Sequence, residues 1–118
     1  MTLQHSELEP FRCEVDPDRA SVRVRPIGEL DLDTASVVDA QLGELWSVGF
    51  TSLVVDLRGV RFLDSTGLRL LLTWDARSRA DGVDFAVVPG PAAVQRVLEV
   101  AGAVELLTFA EPNGSAHG

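Results

Sequence analysis

Two short and almost continuously apolar runs, at residues 53–57 and 84–88, most constrain what this chain can fold into. A strand with one solvated face alternates apolar and polar residues, whereas a continuously apolar strand is buried on both faces, as in a parallel sheet. Helical spacing of apolar residues follows both runs, and parallel strands need such crossovers. The pattern therefore predicts an α/β domain whose sheet is mostly parallel.

Helical periodicity predicts three helices, at residues 33–48, 64–80 and 91–101. Asp33 or Thr34 is the expected cap of the first helix, because both side chains can accept a hydrogen bond from a free backbone N–H group. The residues of the second helix expected on the core side are Leu68, Leu71 and Leu72.

The start of the chain predicts an antiparallel hairpin of two β-prone segments, residues 11–15 and 21–27. Pro26 cannot donate a ladder hydrogen bond, so it indicates the end of the second strand or an unpaired edge. Residues 58–63 are expected to form a loop, and residues 105–109 a final strand. The prediction is a four- to five-stranded mixed sheet, mostly parallel, with an N-terminal hairpin.

The length of 118 residues predicts a single domain, with a folded core at about 11–109 and tails at 1–10 and 110–118. The formal net charge is −8, and all ten basic residues are arginine. An acidic surface repels a phosphate backbone, so nucleic acid is an unlikely partner class and a protein with a basic face is favoured. The absence of lysine excludes a lysine Schiff base and the lysine of a phosphate-binding loop.

Few residues of this chain suit catalysis or metal binding. The two histidines, His5 and His117, lie near the ends, and Cys13 is the single cysteine. We expect Cys13 to be a small buried apolar residue, with neither a metal nor a cofactor bound by the domain. The first ten residues lack a signal-peptide pattern and no run is long enough to span a membrane, which favours a cytoplasmic protein.

Residues 62–68, Phe-Leu-Asp-Ser-Thr-Gly-Leu, stand out because an acid, two hydroxyls and a glycine open a predicted helix. On one interpretation Asp64 or Ser65 only caps the helix, and Gly67 allows close packing. On the other, the hydroxyl of Ser65 accepts a phosphoryl group, since the amino end of a helix favours an anion. Arg69 could pair with that phosphate one turn along, while Asp64 would repel it.

Three segments resemble the recurring motifs of STAS-domain anti-sigma factor antagonists. These segments are residues 28–35 (Gly-Glu-Leu-Asp-Leu-Asp-Thr-Ala), residues 53–57 and residues 62–68. The resemblance covers about residues 11–109 and is most specific at Asp-Ser-Thr-Gly. It implies helices packed mainly on one face of the sheet, and a regulatory binding module in place of an enzyme.

The resemblance also implies a partner-switching cycle. The unphosphorylated protein would capture an ATP-dependent anti-sigma factor serine kinase and so free a sigma factor for transcription. The kinase would then phosphorylate Ser65 and dissociate, and a serine phosphatase would reset the switch. The residues implied for partner binding are Glu29, Asp31, Asp33, Asp64, Thr66, Gly67, Leu68 and Arg69.

One other function stays open on the sequence. The chain could be a STAS accessory subunit of another assembly, such as a lipid transporter or a stressosome-like scaffold. The turn 29–33 could be a solvated acidic loop and no more, because its spacing does not match a calcium site. Position 69 is commonly small in the family, so Arg69 is a departure that bears on partner choice.

Overall fold

The computed structural model describes residues 10–112. The expected N-terminal tail and most of the expected C-terminal tail, with His5 and His117, lie outside the described residues.

Five strands form one mixed sheet. They are β1 (Arg12–Asp18), β2 (Ser21–Leu30), β3 (Ser52–Asp56), β4 (Val60–Leu63) and β5 (Asp84–Val88). Their order is β1-β2-β3-β5, with β4 beside β2, and β1 is antiparallel to β2 while the other pairs are parallel. The predicted mixed sheet with an N-terminal hairpin is therefore confirmed.

Three helices connect the strands: α1 (Ala35–Val48), α2 (Ser65–Asp81) and α3 (Ala92–Val100). Short 3-10 turns occur at Leu57–Gly59 and Ala103–Glu105. All three helices contribute to a single core against alternate residues of the strands, which places them on one face of the sheet. The core members include Val24, Val55 and Val87 from strands and Leu42, Leu71 and Leu98 from helices.

The buried stripe of α2 differs from the predicted one. Leu71 is fully buried as expected, but Leu68 and Leu72 are half-buried. Leu68 and Leu72 nevertheless pack against the core, and Leu70 and Trp74, which were not predicted, are buried. The stripe is turned because Gly67 lies directly against β2 and β4, which brings Leu70 and Trp74, at the i+3 and i+7 positions from that glycine, onto the core side.

Two expectations about strands were wrong. Residues 60–63, expected within a loop, form β4, because the carboxyl half of β2 offers them an unpaired edge. Residues 105–109 form no full strand. A 3-10 turn begins the segment, and only Phe109 bridges to Val87, with hydrogen bonds from Val87 N to Thr108 O (2.8 Å) and from Ala110 N to Val87 O (2.9 Å).

Pro26 neither ends its strand nor lies on an outer edge. The ladder of β2 to β3 covers residues 21–24, and the ladder to β4 covers residues 28–30. Pro26 lies between these two ladders, where β2 passes the 3-10 turn Leu57–Gly59, so its missing N–H group interrupts neither. A strand can therefore continue through this proline.

The entry to α1 is also capped differently from the prediction. Thr34 is the cap residue by position, but its side chain makes no capping hydrogen bond to the helix. Asp31 acts earlier: its carboxylate Oδ1 accepts from Asp33 N (3.0 Å) and from Thr34 N (3.2 Å). The side chains of Asp31 and Thr34 thus organise the turn before α1, since Thr34 Oγ1 in return accepts from Asp31 N (3.0 Å), whereas the Asp33 side chain takes no part in these bonds.

Asp56, at the end of β3, is fully buried beneath three arginines. Its Oδ2 lies 3.3 Å from Arg23 Nη1, 3.5 Å from Arg25 Nε and 2.8 Å from Arg58 Nη2. Burial alone would raise the pKa of Asp56, but hydrogen bonds from Arg58 and Arg23 outweigh it and hold that pKa below its ordinary value. These ion pairs hold the carboxyl end of β3 in place.

Cys13 is half-buried against the core, which partly matches the expectation of a buried apolar residue. Burial raises the pKa of the Cys13 thiol to about 11. Within residues 10–112, none of the helices has the length and apolarity to cross a bilayer.

Candidate functional site

The site lies at the carboxyl edge of β2 and β4. These strands run parallel, and Leu30 pairs with Leu63, so the segments that follow them leave the sheet side by side. A hydrogen bond from Asp64 N to Leu30 O (3.3 Å) joins the two exits. The acidic turn 29–33 and the start of α2, distant in sequence, are therefore neighbours.

Asp64 is the cap of α2. Its backbone is extended (φ −103°, ψ −173°), and its Oδ1 accepts hydrogen bonds from Thr66 N (2.9 Å) and Gly67 N (3.0 Å). A carboxylate here also interacts favourably with the positive end of the helix dipole. Of the two capping residues that the sequence allowed, the structure selects Asp64.

Ser65 is the first residue of α2, and its side chain is exposed. Because Asp64 performs the capping, no structural task at the helix end requires the Ser65 hydroxyl. That hydroxyl is open to approach from solvent at a rigid strand-to-helix junction. The arrangement has the accessibility that a modifying enzyme needs.

Gly67 brings α2 into direct contact with the sheet. A Cβ atom at this position would lie 2.6 Å from Leu30 O and 2.6 Å from Leu63 Cδ1. These separations are shorter than real Cβ contacts, so only glycine fits without a shift of backbone. Gly67 was expected in the partner surface, but it is buried and supports Ser65 from below.

The acidic turn divides into one structural and two exposed acids. Asp31 is half-buried and holds the turn through the hydrogen bonds described above. Thr34 Oγ1 secures the same turn by donating to Glu29 O (2.6 Å). The side chains of Glu29 and Asp33 are exposed, so these two acids can meet a partner directly.

Two surface grooves flank α2. The groove between α2 and α3, about 490 Å³, has a mostly apolar wall and includes Ser65 and Leu68. The groove between α1 and α2, about 250 Å³, includes Thr66 and Arg69. Ser65 lines the first of these grooves, and Arg69, one helical turn further along, lines the second.

The sequence interpretation missed three exposed residues at this edge. Leu32, at the tip of the acidic turn, is 73% exposed, and Phe62 of β4 is 50% exposed. Arg96 of α3 lines the same groove as Ser65. Phe62 is the β4 partner of Glu29, so Leu32 and Phe62 add apolar surface beside the acids. An apolar residue between two acids was the one signal that could have identified Leu32.

Groups that could hold a metal are absent from this edge as far as the structure describes it: residues 10–112 contain no cluster of three or more His, Cys, Asp or Glu side chains placed for an ion. The arrangement offers an exposed hydroxyl, two exposed acids and an apolar groove. Such a surface suits recognition by another protein.

The mixed five-stranded sheet with three helices gives this molecule the fold of a SpoIIAA-like α/β domain. The anti-sigma factor antagonist SpoIIAA in its unphosphorylated form has 22% identity and a TM-score of 0.71, covering 87% of this chain and 90% of that one. The phosphorylated form of the Bacillus protein has 20% identity and a TM-score of 0.66, over 87% and 93%.

A family model described as "Mlab, STAS domain" matches residues 13–108, and the chain therefore belongs to the STAS domain family. The anti-sigma-F factor antagonist RsfB of Mycobacterium tuberculosis is 35% identical over 86 residues, which cover 72% of this chain and 70% of RsfB. An anti-sigma factor antagonist of Mycobacterium paratuberculosis has 25% identity and a TM-score of 0.74, over 88% of this chain and 87% of that one. The family expected from the sequence motifs is confirmed.

Proposed function

We propose that this protein is an anti-sigma factor antagonist that binds an anti-sigma factor serine kinase until Ser65 is phosphorylated. The observation that carries the proposal is the exposed Ser65 hydroxyl, free of any capping role, in a relative of RsfB. The protein would act by binding, and ATP would belong to the kinase. Release of the sigma factor from the kinase would then alter transcription.

The proposed docking surface surrounds Ser65. It consists of the exposed acids Glu29 and Asp33, the α2 residues Thr66, Leu68 and Arg69, and the apolar side chains of Leu32 and Phe62. Asp31, Asp64 and Gly67 would contribute by holding this surface in shape. The acids favour a partner with a basic face, because complementary charge speeds encounter and opposes wrong partners.

Phosphorylation would work as a switch through desolvation. The kinase would transfer the γ-phosphoryl group of ATP to Ser65 Oγ: the new O–P bond forms as the bond from the γ-phosphorus to the bridging oxygen breaks, ADP leaves and the hydroxyl proton is released. The phosphate carries a charge of about −1.5 to −2 at pH 7. Burying it against a partner costs several kcal/mol unless a cation pairs with it, enough to weaken binding by about a hundredfold.

Intact-mass measurement after incubation with a candidate anti-sigma kinase and ATP tests the modification. We expect one added phosphate, mapped to Ser65, and none on the Ser65→Ala variant. Thr66→Ala is the matched control, because it removes the neighbouring hydroxyl and should leave the modification intact. Phosphate on another residue, or none with any anti-sigma kinase of the source organism, would contradict the proposal.

Binding to the same kinase tests the switch. We expect Ser65→Asp to weaken binding by about a hundredfold and Ser65→Ala to leave it close to wild type. Thr51→Asp is the control, because it adds the same charge at an exposed position at the opposite edge of the sheet, before β3. Equal affinities of the Ser65→Asp variant and the wild type would refute a charge-operated switch.

The alternative is a STAS accessory subunit of a lipid transporter or a stressosome-like scaffold. The name of RsfB supports the antagonist function over this alternative. Co-purification with a transporter ATPase or scaffold protein, in place of a small kinase, would favour the alternative.

A further inference from the structure

We infer that Arg96 of α3, and not Arg69 of α2, is the cation that pairs with a phosphate on Ser65. The inference rests on the proposed modification of Ser65 and assigns a residue to its modified state. It follows from the groove that Ser65 lines, from the groups already used at the helix end and from the charges in that groove.

Two backbone N–H groups at the start of α2 are already taken and are not available to the phosphate. Asp64 Oδ1 already accepts from Thr66 N and Gly67 N, at 2.9 and 3.0 Å. The Asp64 carboxylate is also negative, so it repels a second anion from the same position. A phosphate on Ser65 is therefore driven outward, away from the helix end, and must find a side-chain cation or remain solvated.

Arg69 is the competing candidate, because residues four apart on a helix are neighbours. Arg69 lines the groove between α1 and α2, together with Asp39 and Thr73. Ser65 lines the other groove, between α2 and α3. The carboxylate of Asp39 in that groove offers the Arg69 guanidinium another anionic partner.

Arg96 lines the groove that Ser65 enters. The charged residues of that groove are Asp64 and Arg96, and its remaining wall is mostly apolar, with Leu68 and Val97. Within residues 10–112, Arg96 forms no ion pair or side-chain hydrogen bond, so its guanidinium has no competing attachment. Arginine also binds phosphate oxygens in a two-point geometry that few other side chains offer.

The pair would change the character of the groove. In the unmodified protein the groove presents an apolar wall between Ser65 and α3. In the modified protein a phosphate and a guanidinium would cross it above Leu68 and Val97. Phosphorylation would then alter a surface larger than the single modified side chain.

Phosphorus-31 NMR tests the assignment without any partner or kinase. Phosphoserine is incorporated at position 65 during translation, into the otherwise wild-type chain and into the Arg96→Gln and Arg69→Gln variants. The two variants are matched, since both replace an exposed arginine of a helix with a neutral residue of similar length. Far-UV circular dichroism verifies that each protein is folded, and the phosphate is titrated from its monoanion to its dianion.

We expect the second pKa of the phosphate to lie lower in the wild-type background than in Arg96→Gln, by on the order of half a unit at low salt, because a nearby cation favours the dianion. Arg69→Gln should raise that pKa by less than Arg96→Gln does, and the difference at Arg96 should shrink in 0.5 M salt. An unchanged pKa in Arg96→Gln, or an equal shift in both variants, would overturn the assignment.

These outcomes are independent of the proposed function. If the phosphate has the same pKa in the wild-type background and in Arg96→Gln, the pairing is refuted, and the results with the kinase are not affected. Conversely, failure of every anti-sigma kinase to modify Ser65 refutes the proposed function, while a shift caused by Arg96 would still establish the ion pair.

Discussion

Replacement of Gly67 by alanine is the sharpest test of how the sheet positions Ser65. The added Cβ would lie 2.6 Å from Leu30 O, a backbone atom that cannot move without disturbing β2. Overpacking of this kind costs about 1–3 kcal/mol. Alanine recovers part of that cost through its helix propensity, which exceeds that of glycine by up to about 1 kcal/mol. We therefore expect a net loss of about 1–2 kcal/mol in the free energy of unfolding.

Gly43→Ala is the matched control. Gly43 lies inside α1, and a Cβ there would meet nothing within 4 Å. The same substitution should therefore stabilise the protein by about 0.5–1 kcal/mol, through propensity alone. Two glycine-to-alanine changes within helices are thus expected to have opposite signs.

Urea unfolding followed by the fluorescence of Trp46 and Trp74 measures both variants. With a slope of about 1–3 kcal/mol/M, the midpoint of Gly67→Ala should fall by about 1 M, while that of Gly43→Ala should rise. A Gly67→Ala protein as stable as the wild type would refute the close contact of α2 with β2 and β4. Destabilisation of equal size at both positions would refute the argument from space.

Three further predictions concern stability and reactivity. Asp56→Asn should lose about 2–4 kcal/mol at pH 7, because three arginines would lose the buried carboxylate that they share. The deficit against wild type, measured by urea unfolding, should persist above about pH 4 and shrink as the pH falls through the lowered pKa of Asp56. Constancy of the deficit down to pH 2 would count against the ion pair. Asp64→Ala should lose about 1–2 kcal/mol of unfolding free energy in the same assay, whereas Asp33→Ala should change it by less than about 0.5 kcal/mol. Equal losses would contradict the role of Asp64 as the cap of α2. Alkylation of Cys13 by iodoacetamide at pH 8 should be about 100-fold slower in the native than in the urea-unfolded protein, because burial raises the thiol pKa from 9.0 to about 11 and so leaves less thiolate. Equal rates would disprove the burial of the thiol.

Local signals made α2 predictable from the sequence. Asp64 provides a cap next to the first helical residue, and Gly82 ends the helix in a left-handed conformation (φ 73°) that glycine adopts readily. The helix was expected at residues 64–80 and lies at Ser65–Asp81. The buried strands β3 and β5 were equally evident, because their apolar runs are continuous.

The features that the sequence did not predict depend on contacts between distant parts of the chain. β4 has four residues, two of them exposed, and forms only because β2 extends past β3 and offers an edge. Asp33 and Thr34 satisfy the local rule for a cap, yet Asp31 lies better for the bond. Likewise, no local pattern places Arg96 in the groove of Ser65, 31 positions earlier, because the packing of α3 beside β4 decides it.

β2 forms ladders with β3 and then with β4 and so ties both loops of the site to one strand. A binding protein therefore meets a surface whose backbone is already ordered, and recognition restricts the motion of this domain very little. Any adjustment of shape on association must come from the other molecule. Of the two proteins, the proposed kinase partner is the one expected to bring the adaptable segment.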